Sequence, residues 1–134
     1  KKNPLKHNPY YSLSQRLKKA KELTKGIKKI QVIHLDKRVN SSRSINIINY
    51  LVNRKKLKNI YFIIGSDNLI NFHKWKNWKK IVKLTKLVVF SRRGYDRKGD
   101  KSPVVKYYKK KITFIKNKPI IISSTELRKA RLNY

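Results

Sequence analysis

The feature that most constrains the fold of this chain is an apolar run that ends abruptly. Ile60-Tyr61-Phe62-Ile63-Ile64 stops at Gly65, and a carboxylate, Asp67, follows two residues later. An unbroken apolar stretch of this length predicts a buried parallel strand that delivers a polar residue to its carboxyl end. In open α/β sheets ligands bind in the crevice beyond those ends. Trp75 and Trp78 open the helix expected next, so a carboxylate and a flat apolar wall are offered at one rim. This rim is the best candidate site in the sequence.

The remaining pattern alternates. Leu13, Leu17, Ala20 and Leu23 recur at helical spacing behind Ser12 or Ser14 as cap, which predicts a helix over 12–24 that Gly26 ends. A strand is expected over 30–35, a polar connection over 36–40, and a second helix over 41–54 with Ile45, Ile48, Leu51 and Val52 on one face. After the Ile60 strand come a helix over 74–85, a strand over 87–90, and a charged, mobile loop over 94–102. Strands over 112–115 and 119–122 and a helix over 124–132 complete the chain, while 1–11 reads as a loop punctuated by Asn3-Pro4 and Asn8-Pro9. The expected class is α/β with a mostly parallel sheet, in one domain over 1–134.

Composition bounds the function. Thirty-seven Lys and Arg against six Asp and Glu give a formal net charge of +31, which invites a nucleic-acid reading. The charge is scattered, however: Lys18-Lys19, Lys28-Lys29, Arg54-Lys55-Lys56, Lys79-Lys80 and Lys109-Lys110-Lys111 fall on every part of the chain. A dedicated phosphate-binding face concentrates charge on one element, and Lys, Ile and Asn share A/T-rich codons. Nucleic acid is therefore a possible partner and not the favoured one. No cysteine is present, so there is neither a disulfide framework nor a thiolate metal site, and a cytoplasmic setting is the expectation. No apolar run approaches the roughly 18 residues of a membrane span, and no membrane partner is expected.

The last strand–helix junction is the second informative point. Ile122-Ser123-Ser124-Thr125-Glu126-Leu127-Arg128 sets three hydroxyls where a strand gives way to a helix. Free backbone N–H groups there favour an anion, and Arg128 adds a fork for phosphate oxygens. The same residues also fit a capping box, with Ser123 as cap and Glu126 three residues on. His34 and His73 read as structural or surface residues, His7 has no visible catalytic partner, and no histidine pair has metal-ligand spacing, so no protein-bound metal is assigned.

Ile63-Ile64-Gly65-Ser66-Asp67-Asn68-Leu69 with Phe72, Trp75 and Trp78, then Val89-Phe90-Ser91-Arg92-Arg93-Gly94-Tyr95, then Ile122 to Arg128, closely resemble bacterial nicotinate-nucleotide adenylyltransferases. Asn3-Pro4-Leu5-Lys6 and the helix start over 42–48 fit the same family in the right order. The terminal serine motif is shared by related adenylyltransferases, and the Gly65/Asp67/Trp75 block is what points to the nicotinate enzyme. The resemblance implies a Rossmann-like nucleotidyltransferase fold and adenylyl transfer from ATP, with Mg2+, to nicotinate mononucleotide, giving deamido-NAD and pyrophosphate. It implies that Trp75 stacks on the pyridine ring, that Ser44 contacts the nicotinate carboxylate in place of the usual threonine, and that Asp67, beside Gly65, sits by the ribose. Lys6 and Arg92 would lie near the substrate phosphates, and Ser123, Ser124, Thr125 and Arg128 would hold those of ATP.

The chain departs from that pattern. The family's opening strand and glycine-rich turn, with a His-x-Gly-His motif that polarises the ATP phosphates, have no counterpart, and the segment after the last motif is short. The missing strand is central in such a sheet, so its neighbours are expected to expose edges and apolar faces. Lys76 replaces an aromatic beside Trp75, Lys19 stands where the family has a core methionine, and Asn46 and Ile47 replace polar residues. The expectation is a polypeptide that supplies the substrate-binding and carboxyl-terminal phosphate motifs without efficient catalysis of its own. A basic nucleic-acid-binding protein on the same scaffold and an inactive remnant are the competing readings. Trp75 and Trp78 also share a helical stripe with Ile81, Val82 and Thr85, which makes Trp78 the more core-like of the two.

Overall fold

Ser12 starts the first regular element by a reciprocal cap. Its Oγ accepts the Gln15 backbone N–H at 3.2 Å while the Gln15 Oε1 accepts the Ser12 N–H at 2.9 Å, so two donors that a helix start leaves unpaired are satisfied. The computed structural model describes residues 11–117, and the chain divides into two compact units, Lys1–Lys58 and Asn59–Tyr134. In the first unit this cap opens α1 (Leu13–Leu23), with Leu13, Leu17 and Ala20 half-buried. Thr24 closes the helix by donating its hydroxyl to the Ala20 carbonyl at 2.9 Å. Lys19 is exposed with its Nζ 4.8 Å from the Tyr11 ring centre, so the charge at that family position is not forced into the interior.

The second helix, α2, spans Ser44–Asn53 and is three residues shorter at its start than the periodicity predicts. Ser41 spends its hydroxyl on the Arg43 N–H at 3.1 Å, a local bond that holds the chain in a turn ahead of the helix. Ile45 and Ile48 are buried on the predicted face. The strand expected over 30–35 does not form. A strand exists by pairing, and this segment finds no ladder partner among the described residues, which leaves Ile33 61% exposed.

The second unit is built on a parallel sheet of three strands in the order β1-β2-β3. They are β1 (Tyr61–Gly65), β2 (Lys86–Phe90) and β3 (Ile112–Ile115). Gly65 lies opposite Phe90, and Phe90 opposite Ile115, so all three strands end on one level and in one direction. Between them run α3 (Ser66–Ile70), a 3-10 turn Phe72–Lys74 and α4 (Trp78–Leu84), then α5 (Asp96–Asp100), α6 (Pro103–Tyr108) and a 3-10 turn Lys109–Lys111. The result is the mostly parallel, Rossmann-like α/β fold that the alternation predicts. The loop anticipated over 94–102 is instead largely helical, and Ser102-Pro103, a cap followed by a proline whose φ suits the first helical turn, starts α6. The segments 1–10, 119–122 and 124–132 lie outside the described residues.

The core explains the order of the strands. β2 has neighbours on both sides, and its Leu87, Val88 and Val89 are all buried, packed with Leu69, Phe72, Ile81, Val82, Val104 and Ile112 in the interior. β1 pairs on one side only among the described strands. The expectation of full burial for the Ile60 run is therefore half right: Ile64 is 8% exposed and its neighbour Ile63 is 64% exposed. The helix expected over 74–85 begins at Trp78, because Asn77 adopts a left-handed conformation at φ +54, so Trp75 lies in the extended residue before it and the two tryptophans do not share a helical stripe. Leu87→Ala is expected to lower the unfolding free energy by about 2–5 kcal/mol, whereas Ile63→Lys changes it by less than about 0.5 kcal/mol and reduces aggregation. Urea unfolding and light scattering of the two variants check this contrast.

Candidate functional site

At the carboxyl ends of β1 and β2 the chain ties the two strands together by side chains. The Ser66 hydroxyl, buried immediately after β1, accepts the Arg92 backbone N–H at 3.0 Å and lies 3.5 Å from the Arg92 carbonyl. Parallel strands end where the ladder stops, so this serine extends the contact one step past the last paired residues. On the same level the Arg92 Nη1 donates to the Asp67 Oδ2 at 2.7 Å, a short charge-assisted bond between side chains 51% and 20% exposed.

Gly65 is what leaves room for the carboxylate. A Cβ added there would lie 2.5 Å from the Asp67 Oδ1, closer than atoms approach without one of them moving. The Asp67 Oδ1 is itself buried and has no hydrogen-bond partner. A buried carboxylate oxygen without a donor is costly, so the Arg92 bond to the other oxygen is what compensates the burial of this carboxylate. Arg92, half exposed and with one N–H committed to Asp67, keeps further donors of its planar fork for an anion. The accessible chemistry at this level is therefore that of a cation held by a carboxylate, which suits an anion.

Asp96, the first residue of α5, supports that pair from behind. The Ser91 hydroxyl donates to its Oδ2, and the Arg92 N–H, already shared with Ser66, donates to its Oδ1 at 3.0 Å. Hydrogen bonding from Ser91 foremost, then from Ser66, holds the Asp96 carboxyl below its ordinary value. The Arg92 amide and the charge of Lys116 add to this, against the opposing pull of desolvation. Sequence reading missed Asp96 because it treated the segment from Gly94 as a mobile loop. The available signal was an acid placed five residues after a strand-ending serine, where it can bond back to free amides.

The other expected site residues fall as follows. Trp75 is half-buried in an aromatic cluster, 5.0 Å from Phe72 and 6.2 Å from Phe62 between ring centres. Trp78 is also half-buried, edge-on to Tyr108 at 5.8 Å. Ser44 is the first residue of α2 in the first unit. Lys6, Ser123, Ser124, Thr125 and Arg128 lie outside the described residues. His34 faces Asp36 at 3.7 Å in the first unit. Among the described residues no group of three or more His, Cys, Asp or Glu side chains is placed to hold a metal ion, and the Asp67 carboxylate is bound to the Arg92 guanidinium. Among them no helix is long and apolar enough to cross a membrane.

A parallel sheet with an acid–arginine pair beyond adjacent strand ends defines a Rossmann-like nucleotide-binding protein. The cytidylyltransferase-like family matches residues 1–130. A probable nicotinate-nucleotide adenylyltransferase of Pelagibacter ubique (strain HTCC1062) is 44% identical over 130 residues, 96% of this chain and 72% of that protein. One from Aquifex aeolicus (strain VF5) is 31% identical over 92% of this chain and 76% of its own length, and one from Ruegeria sp. (strain TM1040) is 33% identical over 69% and 48%. The chain belongs to the cytidylyltransferase-like family and, within it, to the nicotinate-nucleotide adenylyltransferases, which are transferases.

The sign of the Asp96 shift gives a prediction. A carboxyl with a lowered folded-state pKa stabilises the fold fully above its ordinary value, about 4, and loses that contribution as the pH falls through the folded value. The stability difference between the wild type and D96N should therefore be constant from pH 7 to 5 and shrink as the pH falls below about 4. Urea midpoints across that range measure it, and a difference that grows on acidification would contradict the assignment.

Proposed function

We propose that this chain binds nicotinate mononucleotide at the ends of β1 and β2 and takes part in its adenylylation by ATP, yielding deamido-NAD and pyrophosphate. The observation that carries this reading is the Asp67–Arg92 pair beyond the strand ends: a half-exposed cation suited to a phosphate, held in place by a carboxylate. Trp75 supplies the stacking wall for the pyridine ring, Ser44 the hydroxyl for the nicotinate carboxylate, and Lys6 a second cation for the substrate phosphate. Ser123, Ser124, Thr125 and Arg128 hold the triphosphate, and Mg2+ arrives bound to it. All of these groups act within one nucleotidyltransferase domain over 1–134.

In the reaction a phosphate oxygen of the mononucleotide attacks the α-phosphorus of ATP, and the bond to pyrophosphate breaks. No proton need leave the nucleophile, because the phosphate is already anionic. The contribution of the protein is therefore alignment of the two nucleotides and neutralisation of their mutual repulsion. Arg92, held to Asp67, performs both tasks on the mononucleotide side.

Calorimetry with nicotinate mononucleotide tests the reading. Arg92→Ala is expected to weaken binding about 10- to 100-fold, the range for a charged hydrogen bond, with little change in melting temperature, and Trp75→Ala about 10-fold with a lowered melting temperature, because Trp75 also packs on Phe72 and Phe62. Trp78→Ala should instead cost about 2 kcal/mol of stability, less than the 3–5 kcal/mol typical of a fully buried tryptophan, and leave affinity unchanged. Absence of binding at millimolar ligand would remove the proposal.

A second reading rests on a separate feature. At the opposite, amino-terminal ends of the strands, Lys83, Lys86, Lys110 and Lys111 line a depression of about 280 Å³ with no acidic residue among its lining. Four cations brought together from three elements suit a phosphate backbone. If single-stranded RNA binds there, replacing the four lysines by Gln should reduce the slope of log K against log salt by about 3, from roughly 0.7 per phosphate contact. Replacing Lys18, Lys21, Lys25 and Lys29 should reduce it by less than about 1. Filter binding from 50 to 300 mM salt, on the order of physiological strength, distinguishes them.

A further inference from the structure

Acidic side chains are scarce in this protein, six against thirty-seven cations, yet two of the six meet at one residue. Asp67 takes the guanidinium of Arg92 and Asp96 takes its backbone N–H. The two contacts differ in kind. Asp67 has one oxygen bonded and the other buried without a partner. Asp96 has both oxygens engaged inward, one on the Ser91 hydroxyl and one on the Arg92 amide.

The connection that these bonds act on has little else to fix it. Between the end of β2 at Phe90 and the start of α5 at Asp96, the chain passes through Gly94 at φ +81. Besides the Asp96 bonds and the Ser66 tie, its backbone is held by the Ser91 N–H on the Ile115 carbonyl, the Tyr95 N–H on the Arg92 carbonyl and the Gly99 N–H on the Tyr95 carbonyl. Of these, only the bonds to Asp96 join Ser91 and Arg92 through one side chain of the same connection. An arginine side chain has four rotatable bonds, so its aim depends on where its backbone is set.

We propose that Asp96 is a positioning residue: by clamping Ser91 and the Arg92 amide, it aims the Arg92 guanidinium across the strand ends at Asp67 and at the substrate phosphate. The clamp rests on the mononucleotide reading above for the identity of the ligand and on the geometry alone for the aim of Arg92. A carboxylate suits this task better than an amide. It accepts two bonds with two equivalent oxygens, whereas an asparagine would turn an NH2 toward one of its two donors. Asp96 itself touches no substrate, so its removal acts through Arg92 or not at all.

A double-mutant cycle on the whole chain decides this. D96A is expected to weaken nicotinate mononucleotide binding about 10-fold in the wild-type background and less than 2-fold in the R92A background. D96N should restore part of the loss, and S91A, which removes one arm of the clamp while keeping the acid, should give an intermediate loss. An equal effect of D96A with and without Arg92 overturns the proposal. A readout without ligand separates this from failure of the substrate reading. In the wild type the Arg92 Nε–H signal in nitrogen–proton spectra should be distinct and sensitive to D67N. In D96A, or in S91A if D96A does not fold, it should merge with the solvent-averaged arginines while the methyl dispersion of the core is retained. An Arg92 signal unchanged by both variants overturns the proposal even where no mononucleotide binds.

Discussion

Everything at the candidate site depends on the parallel register of β1, β2 and β3. Because Gly65, Phe90 and Ile115 share one level, the residues that follow them emerge side by side from separate points in the sequence. Ser66 and Arg92 are 26 positions apart and come within 3.0 Å only because the ladder between Tyr61–Gly65 and Lys86–Phe90 holds its register. A slip of one residue would turn Ser66 and Asp67 to opposite faces and dissolve the pair. Burial of Leu87, Val88 and Val89 fixes that register energetically, since the central strand has an apolar residue on each face to lose. Core packing and site geometry are therefore one constraint here.

Charge acts in the other direction. A net charge of +31 on 134 residues favours expansion, and most cations are exposed without an acidic partner within reach. The described salt bridges are only two, His34–Asp36 and Arg92–Asp67. Surface ion pairs contribute little to stability in general, so the protein gives up little by lacking them. What the scarcity changes is the meaning of the few acids that are present. In a balanced surface an Asp–Arg contact is unremarkable, whereas here a carboxylate that selects one arginine at the strand ends is a specific structural choice.

The sequence made the sheet and the site's centre legible for a physical reason. Buried parallel strands are short apolar runs closed by glycine or a polar residue, and both the Ile60 and Leu87 runs have that form, so Gly65 and Asp67 were legible at a strand end, whereas Arg92 was singled out by the family resemblance alone. The 30–35 run looks the same locally and forms no strand, because pairing is a property of partners and not of the run itself. Asp96 was illegible for the opposite reason. Its surroundings, Arg92-Arg93-Gly94-Tyr95, are polar and turn-like, and only the return of a side chain to Ser91 and the Arg92 amide converts them into an ordered connection. The start of α4 was misplaced by four residues, where a left-handed Asn77 separates Trp75 from the helical stripe that its spacing suggested.

The Asp67 carboxylate shows how the fold accommodates a site at its own expense. Gly65 leaves to the Asp67 carboxylate the space that a Cβ would take, at the cost of added backbone freedom in the unfolded chain. The buried Oδ1 then lacks a donor, a loss on the order of 1–3 kcal/mol by the usual cost of an unsatisfied polar atom. A sequence selected for stability alone would supply Oδ1 with a donor from another side chain. In the proposed reading the anion of the substrate meets the half-exposed guanidinium of Arg92, and Asp67 acts by holding that guanidinium in place. The pair thus rests on one glycine, one aspartate and one arginine set on adjacent parallel strand ends.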